Sequence, residues 1–450
     1  MENIKENKMG IMPIPKLLMS VSAPLMFSMI IQAMYNIVDS IFVAKISEDA
    51  LTAVSLVFPV QSLIIAVGVG TGVGINSLLS RRLGEKRFKE ANSVAVNGLL
   101  VSFLSGIVFA VFGLIFARPF ISSFTQSEAI IKMGVEYLSV ITIFSFASLL
   151  QFACERIIQS TGNTMYNLAI QGVGAVINII LDPIFIFVLD MGVLGAAIAT
   201  VIGQFVAMCI GFYINHIKNK EVDISFKGFK PNGKTIGEIY KVGFPAIIMQ
   251  SIMSVMTVGM NKILLPYSAS AASVVGVYFK LNSFVFMPLF GLTNGMVPIV
   301  AYNYGAQHKK RVMGTFKLSM IFSLVIMALG TLLFQLAPAL LMGMFTPSAE
   351  MLRIGIPALR IISTCFVLSG ICIVFSTFFQ ALGNGVYSLI ISVTRQLLVI
   401  LPAAYILGKI GGINAAWWAF ALSEVVALVL CFIMYGRLKK KVLDKMIDKA

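Results

Sequence analysis

Residues 28–43 read SMIIQAMYNIVDSIFV, and this stretch decides the fold. Ser28, Gln32, Tyr35, Asn36 and Asp39 recur at helical spacing and share one face. Every other face is Ile, Met, Val, Phe or Ala, so the segment is an apolar helix with a polar stripe. A carboxylate at membrane depth costs about 2.5–3.5 kcal/mol on insertion scales. A residue that expensive faces a bundle interior or a water-filled cavity and is a functional candidate.

The rest of the chain has the same character. Its 450 residues are 58% hydrophobic and 12% charged, with mean hydropathy +0.93. An ordinary soluble domain carries roughly 25% charged residues. The apolar stretches are helix-length and do not alternate as barrel strands would, so the chain is an all-α membrane protein. Twelve spans can be marked, at roughly 16–44, 51–79, 92–116, 130–155, 164–189, 193–216, 237–263, 274–302, 313–336, 351–379, 386–408 and 413–436. The N-terminal MENIKENK leads directly into the first span without a cleavable signal pattern.

The formal net charge of +15 does not point to nucleic acid, because its location follows topology. Arg81, Arg82, Lys86, Arg87, Lys89, Lys309, Lys310 and Arg311 sit in loops on one side, and Arg437 and Lys439–Lys441 in the tail. The opposite loops hold single charges such as Lys45, Arg118 and Lys409. This bias predicts cytoplasmic termini. Residues 215–241, with six lysines, predict a cytoplasmic linker between an N-lobe (1–214) and a C-lobe (242–450).

The two lobes repeat. One constant shift along the chain carries Pro24 onto Pro245 and Gly84 onto Gly305. The same shift carries Gln159, Gly162, Asn163 and Tyr166 onto Gln380, Gly383, Asn384 and Tyr387. Six spans per repeat give both copies the same orientation, hence two pseudo-symmetric six-helix lobes related by an axis along the membrane normal.

The repeat makes differences informative. Asp39 aligns with Met260, and Asp182 in NIILDPIFIF with Ala403, so the intramembrane carboxylates are expected in the N-lobe alone. Both aspartates fall in the outer third of outward-running spans. Asn178 lies one turn before Asp182, and Thr200 about two turns into the sixth span. These four oxygen-bearing side chains are expected to converge. Two carboxylates close together in a low dielectric cannot both stay ionised cheaply, so a proton is held there or Na⁺ sits among the oxygens. Pro183 weakens the local helix ladder and permits a bend.

Other features are less specific. Met249, Met253, Met256 and Met260 share one face of the seventh span, as packing or as an adaptable binding surface. Lys280, Arg395 and Glu424 lie within C-lobe spans, for packing, orientation or a direct role. The run GVGTGVG at 68–74 reads as close helix packing rather than a nucleotide loop, and no GxxxxGK[ST] occurs. His216 and His308 sit in inner loops, and the five cysteines read as small packing residues. No enzyme signature emerges.

The halves themselves, SAPLM…YNIVD in the first span, SRRLGEKR after the second and NIILDP in the fifth resemble the MATE (multidrug and toxic compound extrusion) transporters over essentially the whole chain. The DinF-like and bacterial multidrug-efflux branches are the most similar. The resemblance implies cation coupling at Asp39, Asn178, Asp182 and Thr200, with Gln32 and Tyr35 lining the same cavity. Asn36, Met253, Met256, Lys280 and Arg395 complete the expected substrate cavity, and Pro24 marks a helix bend. A branch with acidic residues in the seventh and tenth spans is not matched: Gln250 and methionines occupy the one, Cys365 and Cys372 the other. The expected function is export of amphipathic, cationic drugs or toxins in exchange for H⁺ or Na⁺, by alternating access. The expected setting is a bacterial plasma membrane, as a monomer in the lipid bilayer, with no other cofactor and no nucleic acid. The alternative is a flippase for lipid-linked saccharides of the same superfamily.

Overall fold

The computed structural model describes residues 7–345 and 347–446, apart from the side chains of Tyr35, Asn36, Ile37, Ala269 and Ala272. Helices follow one another with short connections. The first half holds α1 (Lys8–Ile11), α2 (Ile14–Ala44), α3 (Glu48–Gly84), α4 (Phe88–Ser122), α5 (Glu128–Ile143), α6 (Ser145–Ser160), α7 (Met165–Pro183) and α8 (Gly192–Lys218). The second holds α9 (Gly233–Leu264), α10 (Ala269–Gly305), α11 (Lys309–Leu336), α12 (Pro338–Gly343), α13 (Ala349–Ser363), α14 (Phe366–Ala381), α15 (Gly385–Val393), α16 (Ile400–Ala416) and α17 (Trp418–Lys441). π-helical turns extend α7 over Ile184–Val188 and join α15 to α16 over Thr394–Val399. Ten of these segments are long and apolar enough to cross a membrane. The pairs α5–α6 and α13–α14, bent by 43° and 50°, bring the number to twelve if each is one span. The fold class is thus the expected all-α, twelve-span architecture.

The sequence repeat is written into the backbone. Ser47 caps α3 by accepting the Ala50 N–H, and Ser268 caps α10 by accepting the Ser270 N–H. Lys86 and Gln307 both take positive φ after those corresponding helices, at 58° and 62°. Gly162 and Gly383 do so at 81° and 78°, a conformation open to glycine without a Cβ penalty. The bent pairs break at Phe144 and at Cys365, positions that the same shift superimposes.

The described residues form two compact units, and their borders depart from the expected lobes. The first unit takes the chain up to Ile11 and from Ala23 to Ile247; the second takes Met12–Ser22 and everything from Ile248. Each border inside a helix lies beside a repeated proline, Pro24 in α2 and Pro245 in α9. The segment between the halves is also shorter than expected, because α8 runs to Lys218 and α9 starts at Gly233. α2 continues unbroken through Pro24 from Ile14 to Ala44.

Glycine spacing explains the exchange. On α3, a Cβ at Gly70 would lie 2.6 Å from the Ile247 backbone nitrogen, and one at Gly74 would meet the Ile239 carbonyl oxygen. The bare backbone of α3 is therefore the seat for the first half of α9, as the GVGTGVG run predicts. On α10, a Cβ at Gly295 would lie 2.8 Å from Ser22 Cα, and Ser22 Oγ donates to the Leu292 carbonyl at 3.2 Å. Gly74 corresponds to Gly295 in the repeat, and Ser22 to Gly243. Between apolar helices, small residues and close backbone approach supply the packing that a hydrophobic driving force cannot.

Gly74→Ala is expected to lower the stability of the detergent-solubilised protein by about 1–3 kcal/mol, the usual cost of overpacking. Gly172→Ala, where a Cβ would meet no atom within 4 Å, is the matched control. Thermal unfolding of the two variants checks this; equal melting temperatures would contradict the tight α3–α9 seat.

Candidate functional site

In the first unit, α7 and α8 approach until their backbones touch. A Cβ at Gly203 would lie 2.8 Å from the Gly174 carbonyl oxygen, and one at Gly174 would lie 3.1 Å from the Gly203 oxygen. One turn along from this contact, Asn178 on α7 faces Thr200 on α8. Asn178 Nδ2 donates to Thr200 Oγ1 and to Asp182 Oδ1, each at 3.3 Å. Asp182 is fully buried, and Asn178 and Thr200 nearly so.

Asp39 arrives from α2. One turn past it, Phe42 meets Phe187 of the π turn edge-on, with centroids 6.4 Å apart. Val43 joins a buried cluster with Val57 of α3, Leu138 of α5, Ile186 and Ala197. This packing holds that end of α2 against α7 and brings the Asp39 carboxyl beside that of Asp182. The four residues expected to converge do converge. Pro183 is followed by the π turn, in which Leu189 N–H reaches back to the Ile184 carbonyl at 2.9 Å. The weakened ladder is thus re-formed with an extra residue per turn, a device common at functional sites.

The cluster is rich in oxygen and poor in hydrogen. Asp39 Oδ1, Asp182 Oδ2 and Asn178 Oδ1 are buried with no hydrogen-bond donor. Two facing carboxyls with unmatched acceptors suit a shared proton or a cation held by oxygen ligands.

Beside the cluster lies a chamber of about 570 Å³, its open mouth included. Asn178 and Thr200 form one end; Gln32, Gln151, Phe152 and Gln171 line it further along. Gln32 thus shares a chamber with Asn178 and Thr200. The side chains of Tyr35 and Asn36 lie outside the described residues.

Sequence reasoning missed Glu155. It is only 3% exposed within α6 and accepts hydrogen bonds from Gln151 Nε2 at 3.0 Å and Gln171 Nε2 at 2.9 Å. Asp39 and Asp182 are thus not the only acids within the N-lobe spans. The expected fourth span ended at residue 155, which left Glu155 at its edge, whereas α6 continues to Ser160. The signal was present in Gln151 and Glu155, one helical turn apart, and in Gln171 and Asn178, two turns apart on one face.

The expected C-lobe residues have other settings. Arg395 pairs with Glu424, Nη1 to Oε1 at 3.2 Å, with both side chains largely buried. The C-lobe therefore does contain a buried acid, but one neutralised by its own cation. Lys280 is exposed, its Nζ 5.9 Å from the Phe345 ring centroid. The methionine face is divided: Met253 is exposed while Met256 and Met260 are buried, and Met249 Sδ accepts from Gln380 Nε2 at 3.6 Å.

Two bundles of bent and proline-containing spans, with a buried acid pair in one, define a membrane transporter. The MatE family model matches residues 24–184 and again 245–406, and the chain belongs to this MATE family. The two matches begin at the repeated prolines. Multidrug export protein MepA of Staphylococcus haemolyticus is 28% identical over 436 residues, 96% of this chain and 95% of its own. An outward-facing multidrug resistance MATE transporter of the MOP superfamily superposes with TM-score 0.91 at 26% identity, over 97% of this chain and 98% of its own. A MOP superfamily transporter from Pyrococcus furiosus superposes equally well, at 26% identity over the same shares, and its structure is described as having a binding pocket of reverse polarity that suggests a different function.

Arg395→Met alone is expected to destabilise the protein by about 3–5 kcal/mol, because Glu424 would stay buried without a partner. The double variant Arg395→Met/Glu424→Gln is expected to recover most of that loss. Denaturation in detergent distinguishes the two; equal losses in single and double variants would mean the pair is not self-contained.

Proposed function

We propose that this protein is a multidrug efflux antiporter, a transporter and not an enzyme, which exports amphipathic cationic organic compounds in exchange for H⁺ or Na⁺. The observation that carries the reading is the meeting of Asp39 and Asp182 within reach of Asn178 and Thr200. The kinship with multidrug export proteins supports it. The loop charges support cytoplasmic termini in a bacterial plasma membrane.

In this mechanism the chamber alternates between the two sides of the membrane. A cation entering from outside takes the place of the missing hydrogen-bond donors in the acid cluster. With Asp39 and Asp182 neutralised, Asn178 and Thr200 are free to re-pair, and the chamber wall they form loses its attraction for an organic cation. Linkage then requires drug and coupling ion to weaken each other's binding by the same factor. Proline-bearing α2, like its repeat counterpart α9, has its two ends in different units, which supports a bend near Pro24 as a moving part.

A lipid-linked saccharide flippase would need free cations for a pyrophosphate head. Arg395 is held by Glu424, which favours efflux over that alternative.

Proteoliposomes with imposed pH and Na⁺ gradients, applied separately, test the reading. One gradient is expected to drive drug movement, and Asp39→Asn and Asp182→Asn are each expected to abolish it with membrane insertion unchanged. Normal efflux by both variants would overturn the acid cluster as the coupling site.

A further inference from the structure

The shift that relates the two halves carries the Phe42–Phe187 contact onto Ile263 and Gly408. In the first unit those two rings fill the corner between the end of α2 and the π turn. In the second unit the same corner holds one aliphatic side chain and one bare backbone, and it is hollow. A recess of about 520 Å³, its open mouth included, is lined there by Ile263, Pro266, Tyr267, Tyr405 and Lys409. Its walls also differ in kind from the first unit. Tyr267 and Tyr405 stand at the positions of Ile46 and Ile184, and Lys409 at that of Val188.

Both helices end here: α9 stops at Leu264, and α16 breaks at Gly412, whose φ is 70°. The recess is therefore at a membrane boundary, the level at which tyrosine and lysine settle. Tyr267 is 41% and Tyr405 51% exposed, so both rings are open to a molecule in the headgroup layer. A Cβ at Gly408 would lie 2.8 Å from the Tyr267 hydroxyl oxygen, so that ring leans over α16 only because glycine is there. Lys409 is exposed, with Nζ 4.4 Å from the Tyr405 ring centroid. The groups that act on its charge are the hydroxyls of Tyr405 and Tyr267 and no carboxylate among the described residues. Arg118, another of the single loop charges, is by contrast paired with Glu128 at 3.3 Å.

We propose that this recess binds a phosphate ester, with the anionic oxygens on Lys409 Nζ and the phenol hydroxyls, and the apolar part on Ile263 and Pro266. A lysine ammonium binds phosphate as a point charge and brings three donors. A phenol adds a donor without adding the negative charge of a carboxylate. A phospholipid headgroup and a soluble phosphate ester share this chemistry. The site belongs to the second unit and is separate from the acid cluster, so it does not depend on the efflux reading.

Native mass spectrometry of the delipidated full-length protein, titrated with dioleoyl phosphatidylglycerol, tests the site. A tight lipid adduct is expected, weakened about tenfold in Lys409→Gln, the loss of one charge-assisted contact. Tyr405→Phe, which keeps the ring and removes the hydroxyl, is expected to weaken it in the same direction. Lys262→Gln removes an equal charge from the same end of α9 without lining the recess, and is expected to change nothing. Ile263→Phe restores the ring of the first unit at constant charge and is expected to weaken the adduct as Lys409→Gln does. Equal losses in Lys262→Gln and Lys409→Gln would mean diffuse surface charge and overturn the site, as would full binding by Ile263→Phe. Dioleoylglycerol lacks the phosphate and is expected to form no such adduct; equal binding of the two lipids would overturn phosphate recognition. Millimolar glycerol 3-phosphate separates the sources. An adduct that persists supports the phospholipid, and one that is displaced supports a soluble ester at the same groups.

Discussion

The polar interior of the first unit depends on the backbone contact between α7 and α8 at Gly174 and Gly203. Asn178 can reach Thr200 only because no side chain separates the two helices there. The amide nitrogen of Asn178 then reaches both the Thr200 hydroxyl and the Asp182 carboxyl. Two missing Cβ atoms thus determine where a carboxyl, an amide and a hydroxyl come together. Asp39 is added by apolar means, through Phe42 against Phe187 and Val43 in the buried cluster. The acid pair is a joint product of glycine packing and hydrophobic packing.

The two halves answer the problem of polar groups in hydrocarbon differently. The C-lobe closes its charges on one another, Arg395 with Glu424, which leaves nothing in that pair for a third party. In the first unit the buried carboxyls of Asp39 and Asp182 instead face each other, and Asp39 Oδ1 and Asp182 Oδ2 have no hydrogen-bond partner among the described residues. Pairing of acid with acid in one copy and of acid with cation in the other separates the two copies of the repeat.

Much of this was legible from the chain. The span number, the internal repeat and the convergence of Asp39, Asn178, Asp182 and Thr200 all follow from hydropathy and helical spacing. The glycine run at 68–74 was correctly a packing surface, but sequence could not say for which partner. Glu155 was hidden because a carboxylate at the end of an apolar run looks like a helix terminus; only the continuation of α6 to Ser160 places it inside. Arg395 and Glu424 are well separated in sequence and sit on different helical segments, a pairing that no periodicity reports. The lobe borders were misplaced because linkers are recognised by polarity, whereas this chain changes unit in the middle of two apolar helices.

That exchange bears on how the molecule arose. In each copy the opening half-helix is seated on glycines of the other copy: Ser22 against Gly295, and Gly243 against Gly70. A lone six-helix ancestor built to this plan would have had an empty groove and a stray end. It would have been completed only by a second identical chain lending the same piece in return, a reciprocal swap.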